Sequence, residues 1–372
     1  MQPSDNVLHP ATLPASPHGL LLLRIPDFDA PLGDAFHAIQ RALAVVHRLT
    51  IVVSVGPSIN DAEQEAQQLD NNNAQHNNSN NSDIAEGISA PPTFHCVQRL
   101  LSALYVSFTK QVVALERPLA ELDIVFRESC GYEIGTGVED ELPFDILLGM
   151  PDATKDLEEL NRKRVKLHGQ TTLPILTLLL TPNIDVHTHL VEAIDSVVPH
   201  NKVQEGQYPN VILGGTFDHL HAGHKILLSL TAWIASHRVV CGVTDDEMLK
   251  SKQFKEFMEP LDVRIKSVER FLRIFKRGLV YEVVPIHDIY GPTITDNNLQ
   301  AITVSKETIK GGAAVNAERG NRNLQPLNVE VINVISPTQT AVDDISPKIS
   351  STYIRQYLAE HDNARSPIDA TK

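Results

Sequence analysis

Val211 to Ser236 read VILGGTFDHLHAGHKILLSLTAWIAS. The stretch has the form strand, tight turn, helix. Val211, Ile212 and Leu213 are a short apolar run, the pattern of a strand buried on both faces. Gly214 and Gly215 end it and let the backbone pass close to another group. His221-Ala222-Gly223-His224 then opens a helix whose apolar positions Ile226, Leu227, Leu230 and Ile234 follow helical spacing. A helix N-terminus presents unpaired N–H groups and partial positive charge, so it suits phosphate. The imidazoles of His221 and His224 lie one turn apart on one face and can donate to an anion held over that end.

Downstream, strands alternate with helices. Arg238 to Val243 reads as a second strand, Phe254 to Pro260 as a loop, and Val263 to Phe275 as an amphipathic, cationic helix. Leu279 to Pro285, Ala301 to Val304 and Val329 to Ile335 are further strands. A helical stretch follows Gly311-Gly312 as far as Arg322, and Ser350 to Leu358 is a final helix. This alternation predicts a Rossmann-like α/β domain over residues 209–360, with a five-stranded parallel sheet and right-handed crossovers. Ligands in such sheets sit at the carboxyl ends of strands, near a switch in strand order. The strand ending at Gly214 therefore puts His221 and His224 at the crevice.

Upstream, the pattern predicts a second α/β domain over 20–200. His18 to Ile25, Leu49 to Val55, Leu122 to Phe126, Phe144 to Leu148 and Leu173 to Leu180 read as strands, and Ala35 to His47 and Phe94 to Leu115 as helices. Residues 1–19 are proline-rich and expected to be disordered. An Asn-rich insert at 61–90, with NNNAQHNNSNNS at its centre, cannot bury enough apolar surface to offset its ordering entropy. Residues 201–208 read as a polar linker and 361–372 as a flexible tail. No chemical motif stands out in the first domain. Glu139-Asp140-Glu141 reads as a solvated loop, and His187-Thr188-His189 lacks a third metal ligand nearby.

Composition narrows the function classes. Hydrophobic residues make up 42% of 372, ordinary for a globular protein of two domains, and the formal net charge of −14 argues against a general nucleic-acid binder. Cys96, Cys130 and Cys241 are sparse and lack metal spacing, which suggests free thiols in a reducing compartment. The N-terminus lacks a basic start followed by an apolar core, so a secretory signal is not expected. The longest apolar run, Leu173 to Leu180, falls short of the about 20 residues that span a bilayer. The expectation is a protein of the cytoplasm, and of the nucleus as well, with neither a membrane nor a nucleic-acid partner.

Two further stretches bear on chemistry. In Ile349-Ser350-Ser351-Thr352-Tyr353-Ile354-Arg355, a serine N-caps the last helix, and hydroxyls, amides and Arg355 can meet at one anion. Taken alone it is a capped terminal helix. Lys250-Ser251-Lys252 follows the second strand, where lysines usually just face water. His219, His221 and His224 could be read as a zinc set. The positive end of a helix dipole opposes that, and no metal site is expected.

With GGTFDHLHAGHK (214–225), TDDEMLKSK (244–252), IYGPTITD (289–296), VSKETIKGG (304–312), VNAER (315–319) and ISSTYIR (349–355), the chain resembles the His-x-Gly-His nucleotidyltransferases. Within them it is most similar to the eukaryotic type of phosphopantetheine adenylyltransferase. The motifs lie in order over about the last 40% of the chain. The resemblance implies transfer of AMP from ATP to 4′-phosphopantetheine, giving 3′-dephospho-CoA and pyrophosphate, with Mg²⁺ accompanying ATP. It implies catalytic roles for His221, His224 and Lys250, with Lys252 as the second choice of lysine. On the ATP side it implies Gly214, Gly215, Phe217, His224, Asn316, Arg319, Ser350, Ser351, Thr352 and Arg355. On the acceptor side it implies Thr216, Asp218, Lys250 and Arg264. His224 and Arg355 are expected to face a solvated crevice.

No G-x-x-x-x-G-K-[ST] phosphate loop occurs in the chain, so a dephospho-CoA kinase step is not expected. A complex with other enzymes of coenzyme A synthesis is an implied partnership, and the oligomeric state stays open. Two alternatives remain: a cytidylyltransferase acting on a phospho-alcohol, whose relatives usually carry an RTEGIS-type motif, and a non-catalytic nucleotide-binding scaffold.

Overall fold

The computed structural model describes residues 14–56, 93–127, 130, 143–179, 203–333 and 349–362. The expected disordered N-terminus, the Asn-rich insert, the 139–141 and 187–189 stretches and the expected 361–372 tail lie wholly or largely outside them, residues 361 and 362 being the end of the last helix.

Two five-stranded sheets organise the chain. The first contains β1 (His18–Ile25), β2 (Arg48–Val55), β3 (Glu121–Phe126), β4 (Ile146–Gly149) and β5 (Ile175–Thr177) in the order β3-β2-β1-β4-β5. The second contains β6 (Tyr208–Gly215), β7 (Ala235–Thr244), β8 (Val280–Ile286), β9 (Ala301–Ser305) and β10 (Asn328–Ile332) in the order β10-β9-β6-β7-β8. Every pairing in both sheets is parallel. Both are doubly wound, the arrangement that strand–helix alternation predicts.

The helices are α1 (Gly33–Leu43), α2 (Phe94–Ala114), α3 (Thr154–His168), α4 (Ala222–Ile234), α5 (Leu261–Phe275), α6 (Ile309–Asn321) and α7 (Ser351–Asp362). The α3 helix has no counterpart among the elements that the sequence pattern predicts. It ends at Gly169, whose φ of 60° is the left-handed conformation that closes a helix. Pro174 precedes β5, so that strand is shorter than its apolar run.

The halves meet along α2, α4 and α5. α2 is buried almost all round, as a helix lying between two layers must be. Thr93 caps it by accepting from the Cys96 N–H at 3.3 Å. The Phe94 and Trp233 rings lie 6.1 Å apart across the junction, and those of Phe126 and Phe275 6.2 Å apart. One apolar core runs through both sheets. Burying each large side chain of this kind contributes about 1.5–3 kcal/mol.

Polar ties reinforce the junction. Lys225 Nζ, on α4, donates to Asp123 Oδ1 at 2.6 Å and to the Leu122 carbonyl at 2.8 Å, both on β3. Arg48 and Arg270 flank the same carboxylate at 3.5 and 3.7 Å. Burial opposes ionisation of Asp123, but Lys225, Arg270 and Arg48 outweigh it and hold its carboxyl well below the usual range. Gln98 Nε2 on α2 reaches the Asn333 carbonyl beyond β10 at 3.1 Å. The described end of the expected linker packs too: Gly206 N–H donates to the Trp233 carbonyl at 3.0 Å. No described helix is long and apolar enough to cross a membrane.

Candidate active site

β6 is flanked by β7 and β9. The chain winds outward one way through β7 and β8, then crosses back to β9 and β10, so the switch point falls between β6 and β9. A cleft of about 490 Å³ opens at the carboxyl ends of these strands.

β6 delivers the chain to a tight turn. Phe217 and His219 take positive φ values of 50° and 47°, so the left-handed backbone falls on them and not on Gly214 or Gly215. Bulky residues in that region are uncommon and gather at functional turns. Gly215 is needed for a different reason: a Cβ there would lie 3.0 Å from the Phe217 ring. Phe217 is fully buried and packs 5.3 Å from the His224 ring.

His221 is the N-cap of α4, and its side chain makes no capping bond. The first-turn N–H groups are therefore left for an anion. The His221 and His224 rings stack with centroids 3.9 Å apart. Burial pulls His224 down to about 4, against the opposing charge of Asp218. At neutral pH it stands in the cleft as a neutral imidazole, a hydrogen-bond donor without a proton to add.

The start of α7 forms the facing wall. Ser350 Oγ accepts from the Tyr353 N–H at 3.3 Å, and Ser351 Oγ donates to the Asp218 carbonyl at 2.8 Å. Arg355 departs from expectation. Its side chain is 2% exposed and pairs with Asp218, which is fully buried. It also donates from Nε to the Gln253 carbonyl at 2.9 Å and from Nη2 to Thr352 Oγ1 at 3.2 Å. Arg355 borders the cleft, yet its main work is to fasten α7 to the 217–219 turn and the 253 loop. Asp218 is correspondingly taken: it also accepts from the Glu259 N–H at 2.9 Å.

The structure thus brings Gly214, Gly215, Thr216, Phe217, His221, His224, Ser350, Ser351, Thr352 and Arg355 to one cleft. Five other expected residues do not line it. Lys250 is exposed and pairs with Glu247, its neighbour on the short 3₁₀ turn Asp246–Leu249; of the two expected lysines, Lys252 borders the cleft. Asp218 lies behind the turn. Arg264 is fully buried, donating to the Glu259 carbonyl at 3.0 Å and to the Thr216 and Thr244 carbonyls at 2.8 Å, and pairing with Asp246. It shapes the loops without reaching the cleft. Asn316 exchanges both of its amide bonds with the backbone of Leu327, at 2.9 and 2.8 Å. Arg319 is buried on the carbonyls of Gln325, Thr293 and Asp296.

Sequence reasoning missed other lining residues. Lys306 and Thr308 follow β9 and Asn333 follows β10, while Tyr105, Val106 and Thr109 come from α2 in the other half. The first three could have been found from the rule that loops at carboxyl strand ends build the site, once the strand order is known. Among the described residues, Asp218, His219 and Glu259 are the group close enough to share a metal. Their donors are engaged: Glu259 accepts the His219 N–H at 2.6 Å, the His219 ring is 2.8 Å from the Phe257 carbonyl, and Asp218 holds Arg355.

The cytidylyltransferase-like family matches residues 212–357, the span that contains this cleft except for its α2 wall. Phosphopantetheine adenylyltransferase of Pyrococcus furiosus is 39% identical over 154 residues, which cover 41% of this chain and 91% of the relative. The chain belongs to the phosphopantetheine adenylyltransferase family. The yeast enzyme of that name, from Saccharomyces cerevisiae, is 40% identical over 173 residues, 46% of this chain and 54% of the relative. A Schizosaccharomyces pombe protein without an assigned function is 47% identical over 150 residues, 40% of this chain and 48% of the relative. The chain therefore spans about half the length of the two fungal relatives.

Proposed function

We propose that the protein is a phosphopantetheine adenylyltransferase, moving AMP from ATP to 4′-phosphopantetheine and releasing pyrophosphate and 3′-dephospho-CoA. The observation that carries this reading is the meeting of two helix N-termini, with stacked His221 and His224 on one and three hydroxyls on the other, over a cleft that Lys252 and Lys306 border. Such a site suits a polyanion, and the reading assigns no covalent nucleophile to the protein.

The chemistry needs none. A phosphate oxygen of the acceptor attacks the α-phosphorus in line, the new P–O bond forms, and the bond to pyrophosphate breaks. Rate comes from holding two anions in line and from stabilising the charge that gathers between them. His224, neutral and held by Phe217, donates to the α-phosphate oxygen as its charge rises. The α4 N–H groups and His221 act on the same oxygens. Ser350, Ser351 and Thr352 receive the outer phosphates, and Lys252 offsets charge at the reacting centre. Thr216, whose carbonyl is fixed by Arg264, orients the acceptor phosphate.

Mg²⁺ bound to ATP would neutralise part of the triphosphate charge. Glu307 is the one carboxylate among the described lining residues, so phosphate oxygens and water would supply most of its ligands. The same reading makes this a step of coenzyme A synthesis in the cytoplasm, where other enzymes of that synthesis are natural partners.

The test is product analysis. Full-length protein with ATP, Mg²⁺ and 4′-phosphopantetheine should release pyrophosphate and form 3′-dephospho-CoA. Equal or faster turnover of CTP with a phospho-alcohol would overturn the assignment.

A further inference from the structure

The matched family span, residues 212–357, leaves out one wall of the cleft. That wall is α2, which belongs to the first sheet's half of the chain. Val106 is 2% exposed and faces into the cavity, with Tyr105 and Thr109 on either side of it. Leu227 of α4 and Ile349 also border the cavity and are apolar. Polar ties fix both sides of the slot, α2 on one and α4 on the other. Gln98 ties α2 to the Asn333 carbonyl beyond β10, and Lys225, next to His224, ties α4 to Asp123 and Leu122 on β3.

The polar groups of the cleft are unevenly placed. Imidazoles, hydroxyls and helix N–H groups cluster at the starts of α4 and α7, which suits phosphates. The α2 wall offers mostly carbon: Val106 is apolar, the Thr109 hydroxyl is already used in a bond to the Tyr105 carbonyl at 2.8 Å, and the Tyr105 hydroxyl is buried. A flat aromatic base gains from an apolar slot of this kind. The amide-bearing arm of the acceptor would leave N–H and C=O groups unpaired against it, which is unfavourable.

We infer that the nucleobase of ATP sits in the slot between α2 and α4, against Val106 and Leu227, so that the N-terminal half of the chain sets nucleotide affinity. This rests on the adenylyltransferase reading of the cleft. It assigns the first domain a part in substrate recognition: Val106 is a specificity-determining residue supplied from outside the matched family span.

The experiment uses full-length protein, wild type and Val106→Phe. Steady-state kinetics give kcat and separate KM values for ATP and 4′-phosphopantetheine, calorimetry gives direct ATP binding, and a thermal melt reports folding. Filling the slot should weaken ATP binding and raise its KM by at least about tenfold. The acceptor KM should stay within about twofold, since the acceptor does not touch this wall. Unchanged ATP binding, or a rise in the acceptor KM in place of the ATP KM, overturns the inference. Should Val106→Phe fail to fold, Val106→Ala carries the test, with ATP binding weakened about threefold or more and the same overturning results. Wild-type product analysis judges the parent reading separately. If wild type transfers no AMP, that reading falls, while the calorimetric comparison still decides whether ATP lies against Val106.

Discussion

Replacing Arg355 with alanine separates two accounts of the start of α7. By motif alone, Arg355 is a ligand for the outer phosphates, and its loss should weaken ATP binding in a protein of normal stability. The structure gives a different outcome. Arg355 and Asp218 are a buried pair, with 2% and 0% of their side chains exposed. Truncating the arginine strands a carboxylate away from water, keeping the Glu259 N–H at 2.9 Å and the His219 ring nitrogen at 3.6 Å near it. Breaking a buried pair from one side costs about 3–5 kcal/mol. At about 1–2 °C per kcal/mol for a chain of this size, the melting temperature should fall by about 3–10 °C. The assay is a thermal melt with urea unfolding beside it, on Arg355→Ala, Asp218→Asn and the double variant. Much of the loss should return in the double variant, because asparagine leaves no stranded charge while still accepting from Glu259. An Arg355→Ala protein that melts within about 2 °C of wild type, with only its ATP KM raised, would refute the reasoning.

Lys252→Ala should lower kcat/KM by about ten- to a hundredfold, while Lys250→Ala, which loses only a surface pair with Glu247, should stay within about twofold; steady-state kinetics on both variants decide between them. His224→Ala should lower kcat by about 10²–10³ with a much smaller change in ATP KM, and a near-normal kcat with an intact melt would make that histidine structural. Since burial holds the folded His224 at about 4, below the usual 6.5, the unfolded chain binds more protons in between; its contribution to stability is lost as pH falls from 6.5 towards 4, and pH-dependent melts, with His18 at about 4 adding in the same direction, should show this, while the rate should show no acid limb near 6.5 from His224. Asp123, held below its usual range, stabilises the folded state above its unfolded value and loses that effect as pH falls further, so Lys225→Met should cost about 3–5 kcal/mol at neutral pH and make the urea midpoint less steep against acid.

Much of the fold was legible because its signals are local. Val211 to Leu213 ending in glycine and the helical spacing from Ile226 to Ile234 depend only on neighbours along the chain, and the same is true of most strands in both sheets. What a charged side chain does is not local. Arg319 and Arg355 stand in stretches that carry the family pattern, Arg264 is expected on the acceptor side, and each has the chemistry to bind phosphate. Burial shows instead that Arg264 and Arg319 are held by loop carbonyls, while Arg355 serves a carboxylate first. A guanidinium has five donors in a fixed fork, which suits a set of carbonyls on converging loops as well as it suits an anion. Which of Lys250 and Lys252 borders the cleft turns on one 3₁₀ turn, which sends the first lysine out to Glu247 and leaves the second on the wall.

The union of the two halves did leave traces in the sequence. The 94–114 helix is apolar over more of its circumference than one sheet can cover, and Lys225 places a charge in an otherwise apolar stretch beside His224. Each of those oddities asks for a partner, and neither says where the partner is. The carboxylate that answers Lys225 lies at Asp123, a hundred residues earlier, on the first sheet's edge strand. Because that bond begins at the residue next to His224, the first domain bears on the geometry of the phosphate end of the cleft as well as on its far wall. The 205–372 fragment, which the linker composition marks as separable, would expose the apolar face of α4 and leave the Lys225 ammonium without its carboxylate. Any activity it keeps measures how far α4 holds His224 in place without β3.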